Sequence, residues 1–471
     1  MVDRLEELEI HMLEVIAAAR RMLQSPAFKL CLIGFLILLL LLPLAIAGGL
    51  VSEREERARG VRNDVARVWG QPQNLNGPFL VVPYTIKVET KDGDKRVETI
   101  VERRAVFAPE QLEIAADSTS QVLHRGLYDV NVYTAKVAVS GRFARPDISL
   151  VVADPQTVRW NDAVLVLGLS DVSGLKEAAS VKIDGTQDIA FAPSIGITGV
   201  EANGIHARLI DRTPTALGTI EAPLQAFTFQ TALTFTGSGQ LSFAPAARET
   251  RVAMNSDWPS PSFSGAFLPA ERSVTDRNFT ATWRIPHLAR SVPQAWVLND
   301  QGLERLHPHM FGVSFYQPVD FYDLVNRSVK YSVLFLAAAF MAVFLLETQS
   351  AKRVHWVQYL FTGFALTFFY VLLLSLAEHI GFGWSYLIAS AATGGMLAVY
   401  VSRALRSTRA GLAMAGVFSL LYGILYLILR LEDYALLTGA ILGFAGLTVV
   451  MFATLRVDWG GHNQPAAPAS A

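Results

Sequence analysis

The chain contains a single cysteine, Cys31, inside an apolar run. An intramolecular disulfide is therefore impossible, and a cysteine-based zinc site is excluded. Charge is also scarce. Only 17% of residues are Asp, Glu, Lys or Arg, against roughly 25% in soluble chains, and 52% are hydrophobic. With a mean hydropathy of +0.34, a membrane protein is indicated before any motif is read. The net charge of −1 offers no basic footprint for nucleic acid. Catalytic signatures are missing too: there is no Walker A loop, H-E-x-x-H, C-x-x-C or G-x-S-x-G. No catalytic residue, cofactor or metal site is assigned on this basis, and an enzyme is not expected.

What the chain does have is long apolar runs. In Phe28–Leu50, FKLCLIGFLILLLLLPLAIAGGL, no charge follows Lys29. About twenty such residues cross a hydrocarbon core of roughly 30 Å as a helix. The tripeptide Ala45-Ile46-Ala47 resembles a signal-peptidase site, but the run exceeds the usual h-region of about 7–15 residues. A retained anchor is expected. Five further runs follow, Val329–Leu346, Val357–Ala377, Trp384–Ser402, Gly411–Leu429 and Ala435–Leu455, free of charge away from their ends. Short connectors make consecutive helices antiparallel neighbours. The connectors at 347–356 (Lys352, Arg353) and 403–410 (Arg403, Arg406, Arg409) are basic, whereas 378–383 has no Lys or Arg and 430–434 only Arg430. The basic loops belong in the cytoplasm, which places both termini inside and the 51–328 insert outside. Arg54, Arg57, Arg59, Arg62 and Arg67 run against this, but long translocated domains are weakly governed by charge.

Before the anchor, Leu5, Leu8, Met12, Val15, Ala19 and Met22 recur at helical spacing, predicting a helix over residues 1–27. The insert opens with a charged helical segment, Glu53–Trp69, and then changes to short alternating runs. Residues 79–88, 97–107 and 132–143 fit strands, as do shorter runs at 157–169, 205–210, 250–254 and 279–283. Within 225–243, Gly237-Ser238-Gly239 predicts a hairpin turn. Many short, turn-bounded strands point to a sandwich or related mainly-β domain.

Few residues offer themselves as sites. Glu304, His307 and His309 lie close in sequence, but Pro308 and the want of a fourth ligand argue for a simple turn. Glu347, Glu378 and His379 sit at helix ends, where headgroups or water would solvate them; they are candidate membrane-boundary polar residues. Gly439 and Gly443 permit close helix approach, as in ordinary bundle packing. The most distinctive soluble stretch is DWPSPSFSGAFLPAERSV, 257–274. Its Trp258, Pro259, Pro261, Phe263, Gly265, Phe267 and Pro269 form a candidate interaction loop, since aromatics on a proline-stiffened loop recognise partners at low entropic cost. The alternative is that the rings fold back and close a β core.

At this stretch the chain resembles the CreD-like inner-membrane proteins, the cell envelope integrity family. The W-P-x-P-S-F-x-G-x-F-L-P run at Trp258–Pro269 is the most specific likeness. Ser25-Pro26, Gly77-Pro78 with Pro83, Lys330-Tyr331, Phe344–Thr348, Gln358-Tyr359-Leu360 and SLAEHIGF (Ser375–Phe382) are similar as well. Residues 1–24 extend beyond the family pattern. The resemblance implies a multi-pass inner-membrane protein with a large periplasmic domain, linked to envelope stress and two-component regulation, and brings no catalytic residues.

The expectation is a membrane α+β fold: six transmembrane helices, with a large mainly-β extracytoplasmic domain between helices 1 and 2. Its expected role is maintaining envelope integrity under stress by interaction. Expected partners are the lipid bilayer and envelope proteins, lipids or peptidoglycan precursors, not nucleic acid. The alternatives are a transporter or channel for a small or lipidic envelope molecule and, third, an envelope-modifying enzyme.

Overall fold

The computed structural model describes residues 26–92, 95–197, 202–209, 224–290, 292–298, 302–315, 321–348, 354–431 and 435–455. The helix expected over 1–27 and the tail from 456 lie outside them, as do Lys352 and Arg353. The chain forms two compact units, one of residues 58–318 and one that joins the start of the chain to everything from Val319.

The first helix, α1, runs from Pro26 to Trp69 without a break at the end of the apolar run. Anchor and charged segment, read separately in the sequence, are one helix: no Pro lies between Leu50 and Gly70, and the helix runs through Gly60 to end before Gly70. Six further helices follow the sheet domain: α2 (Phe321–Lys330), α3 (Ser332–Thr348), α4 (Trp356–Ile380), α5 (Phe382–Leu405), α6 (Thr408–Arg430) and α7 (Ala435–Thr454). By length and apolarity α1, α4, α5 and α6 each suffice to cross a membrane, and α2 with α3 make a fifth candidate bent by 51°. The described part of α7, Leu437–Phe452, is shorter. Amphipathic α2 groups with the helices rather than with the insert to which its sequence assigned it.

The sheet domain has two layers. A ten-stranded sheet runs Pro261–Gly265, Phe311–Phe315, Gln240–Phe243, Gln73–Asp92, Val164–Leu169, Gly204–Arg208, Ala192–Pro193, with Lys95–Phe107 and Thr157–Val158 also pairing with the long central strand and Ala295–Val297 with Lys95–Phe107. An eight-stranded sheet runs Glu271–Val274, Phe279–Pro286, Glu249–Ser256, Gln111–Arg125, Tyr128–Phe143, Phe227–Ser238, Ser180–Ile183, Gln187–Ala190. Both sheets are mixed: Gln73–Leu75 pairs in parallel with Leu241–Phe243, and Glu249–Ser256 with Gln111–Ser118. Their inner faces meet through aromatic rings, with Trp283 5.6 Å from Phe311 and Tyr133 4.7 Å from Phe315. Alternation decides which side chains go inward. Tyr133, Ala135, Val137, Val139 and Phe143 are buried, while Lys136 and Arg142 are exposed.

The hairpin expected at 237–239 does not form. Phe227–Ser238 pairs along its length with Tyr128–Phe143, and its other edge is met at Phe229–Thr231 by Val181–Ile183 and at Phe235 by Leu175, so Gln240–Phe243 does not fold back onto it. The chain instead turns at Gly239 (φ 69°) and enters the other sheet, where Gln240–Phe243 joins Phe311–Phe315 and the central strand. A second glycine is required where α1 ends. Gly70 (φ 148°) abuts the Thr236 carbonyl, where a Cβ would collide with it. Thr236 Oγ1 donates to the Trp69 carbonyl, and the Gln71 amide donates to Asp171 Oδ2 at 2.9 Å.

Candidate functional site

Polar side chains in the helical unit gather at two places, one at each end of α4. At its start, Glu347 from the end of α3 has a side chain only 5% exposed. Its carboxylate accepts from Lys29 of α1, from Tyr359 Oη at 2.8 Å and from the Val354 amide at 2.8 Å. At the far end of α4, Glu378 accepts from Tyr322 Oη of α2 at 3.1 Å, and Arg54 of α1 lies 3.8 Å from it. The sequence placed both acids where water or headgroups would solvate them. Instead both are covered, because neighbouring helices bring a cation and a tyrosine to each. His379 is exposed, and its Nδ1 is 3.0 Å from the Ser375 carbonyl.

Lys29 and Arg54 are about 37 Å apart along a straight helix, slightly more than a bilayer core. Between them α1 presents a buried stripe of Ile33, Leu36, Leu40, Leu44, Ala47 and Val51 at helical spacing. Leu40 fills the space over Gly363 of α4, where a Cβ would collide with the leucine methyls. α1 is thus a packed member of this helical unit, held by an ion pair near each end of its apolar stretch.

Other glycines in these helices are used differently. Gly383 and Gly395 of α5 and Gly423 of α6 have nothing within 4 Å of where a Cβ would stand. They line an open groove of about 650 Å³ between α5 and α6, shared with Tyr386 and Tyr422.

In the sandwich, the stretch 257–274 is more than a loop. Pro261–Gly265 and Glu271–Val274 are strands, and Gly265 (φ 101°) turns the chain against the Met310 carbonyl. The aromatic rings face inward: Phe263 meets Phe279 and Trp283 edge-on at 5.8 and 6.0 Å, Phe267 meets Phe311, and Trp258 meets Phe315. Trp258 Nε1 donates to the Ser260 carbonyl, and Trp283 Nε1 to that of Phe267. The rings therefore close the core. Pro259 and Gly265 stay exposed, Pro261 and Pro269 are half-buried, and Leu268 is 70% exposed. Each of the two strands is the outermost of its sheet, one edge paired and the other open among the described residues. Sequence reasoning missed these edges because edge position follows from topology. It also missed Gln111–Arg125, although Leu112, Ile114, Ala116 and Ser118 alternate there at strand spacing.

Arg290 is the unusual charge of the sandwich, at 5% exposure. It donates to Gln294 Oε1 at 3.0 Å, while Nε and Nη1 have no partner among the described residues; burial pulls its pKa down to about 10. His307 and His309 lie on the 3₁₀ helix Gly302–His309. Among the described residues, no three His, Cys, Asp or Glu side chains cluster as metal ligands.

An N-terminal apolar helix, a large mixed-sheet domain and a following set of apolar helices define a membrane α+β protein. The family model described as inner membrane protein CreD matches residues 25–460. The chain is also 30% identical over 454 residues to the inner membrane protein CreD of Escherichia coli (strain K12), covering 95% of this chain and 97% of that one. The chain belongs to the CreD family of inner membrane proteins.

Proposed function

We propose that the protein maintains cell envelope integrity under stress by binding envelope components rather than by chemistry. In this reading it crosses the inner membrane six times, with both termini cytoplasmic and the sandwich in the periplasm. The basic residues Arg403, Arg406 and Arg409 between α5 and α6 support that orientation.

One observation carries the binding reading: the 257–274 segment supplies the open edge strand of both sheets, with Leu268 exposed between them. Unpaired edges accept an added strand from a partner, whose backbone supplies the affinity. The two covered acids, Glu347 and Glu378, are engaged by side chains of the chain itself, which suits holding better than proton transfer. The test is survival of envelope stress in cells carrying Arg272→Pro or Val274→Pro, whose amides face away from Phe279–Pro286 and which block a partner strand at that edge, with folding checked by thermal unfolding. Loss of protection by a folded variant is expected. Full protection by both folded variants contradicts edge binding.

A second reading, movement of a small or lipidic molecule, is favoured by the open groove between α5 and α6.

A further inference from the structure

We infer that the turn between α5 and α6 binds the headgroup phosphate of an anionic phospholipid through Arg403, Arg406 and Arg409. The inference goes beyond edge binding and does not depend on it. It requires only that these helices lie in the bilayer, in either orientation.

Three other cations at helix ends of this unit are answered by the chain itself. Lys29 is paired with Glu347, Arg54 lies 3.8 Å from Glu378, and Arg430 donates to Tyr426 Oη at 3.0 Å. Arg403, Arg406 and Arg409 differ. All three side chains are exposed, and none has a hydrogen bond or ion pair among the described residues. Their own helices bring no acid, because no Asp or Glu lies between Glu378 and Glu432. Glu347 is taken up by Lys29, Tyr359 and the Val354 amide. Three cations within seven residues therefore stand unneutralised, and what they lack is an anion from outside the chain.

The turn that carries them is held in one shape. The Arg406 amide donates to the Arg403 carbonyl at 3.3 Å, and the Ser407 amide to that of Ser402 at 3.1 Å. Gly411 of α6 faces Ser402, where a Cβ would collide with the serine side chain, so the two helix ends stay close. Two of the arginines also stand where local preference opposes them. Arg406 closes α5 in the left-handed conformation (φ 49°, ψ 40°), which favours glycine. Arg409 lies in the first turn of α6, where the helix dipole disfavours a cation and no acid accompanies it. Departures of this kind are expected at functional sites.

Depth identifies the anion. With 24 and 23 residues, α5 and α6 are about 36 and 35 Å long, slightly more than a hydrocarbon core of roughly 30 Å. Their shared turn therefore lies at headgroup level, where phosphodiester is the abundant anion. A guanidinium fork matches two phosphate oxygens. A zwitterionic headgroup also brings an ammonium that the arginines repel, so an anionic headgroup is preferred.

The test places the full-length protein in nanodiscs of phosphatidylglycerol and phosphatidylethanolamine and reads, by native mass spectrometry, the ratio of the two lipids it retains. The parent should retain phosphatidylglycerol well above its share of the bilayer. Each of Arg403→Gln, Arg406→Gln and Arg409→Gln should lower that preference about fivefold, which is what about 1 kcal/mol per cation near a membrane surface gives. Lys330→Gln removes an exposed cation at the end of α2 and should leave the preference unchanged. Arg406→Gly separates binding from packing: it relieves the left-handed backbone and should raise the thermal midpoint, yet still lower the preference. A parent without preference, an Arg406→Gly protein that keeps it, or an equal loss in Lys330→Gln (surface charge only) would each overturn the inference. Displacement of the lipid by inorganic phosphate would overturn it too, by making a free anion the ligand.

Discussion

The two units of this chain solve the same packing problem in opposite ways. The sandwich hides its aromatic rings between two sheets, Trp283 and Phe311 being fully buried, and leaves charge outside apart from Arg290. The helical unit exposes apolar surface, Phe368 at 65% and Phe444 at 73%, and covers the carboxylates of Glu347 and Glu378. In water, burial of apolar area supplies most of the stability. Among apolar helices in lipid that drive is absent, and close approach together with polar contacts takes its place. Gly363 under Leu40 is the close approach, and Lys29–Glu347 is the polar contact.

Five substitutions probe this contrast. The largest effect is expected in the sandwich, where Trp283→Ala should destabilise by about 4 kcal/mol in denaturant unfolding. Phe368→Ala, of comparable bulk but facing outward, should change stability by less than about 0.5 kcal/mol; equal losses would erase the contrast. Next comes Glu347→Ala, which strands the Lys29 ammonium and should cost about 3 kcal/mol by steric-trap or thermal unfolding in nanodiscs. Gly363→Leu should follow at about 2 kcal/mol, because α1 must move off α4. The smallest effect belongs to Asp171 beside the end of α1. Burial pushes its pKa up, but bonds from the Ser173 hydroxyl and the Gln71 and Ser173 amides outweigh that and hold it below the usual carboxylate value. A carboxylate with a depressed folded pKa stabilises above its unfolded pKa and loses that contribution as pH falls through the folded value. Acid unfolding of Asp171→Asn should therefore lack the part of the pH dependence below about pH 4 that the parent shows.

Much of this architecture was legible because periodicity is local. The alternating strand of Tyr133–Phe143, the apolar run after Lys29 and the change from helix to strand after Trp69 all follow from neighbouring residues. The failures share the opposite cause. Gly237-Ser238-Gly239 reads as a hairpin until the strand before it is found paired on both edges. Glu347 and Glu378 look solvated because their partners, Lys29 and Tyr322, are distant in sequence. The rings of Trp258–Pro269 read equally well as recognition or core, and the layer opposite them decides for core. The groove had no sequence signal, since a glycine that admits a helix and one that leaves a space are written alike.

The central claim is that the covered acids Glu347 and Glu378 are clamps for α1. Replacing a buried ion pair by apolar residues of similar size is often neutral, whereas removing one partner is not. The direct measurement compares envelope-stress survival and thermal midpoint for Glu347→Leu and for Lys29→Leu/Glu347→Leu in the full-length protein. A clamp predicts that the single variant loses both and the double variant regains both. A double variant that regains the midpoint of the parent yet still fails to protect the envelope would contradict it.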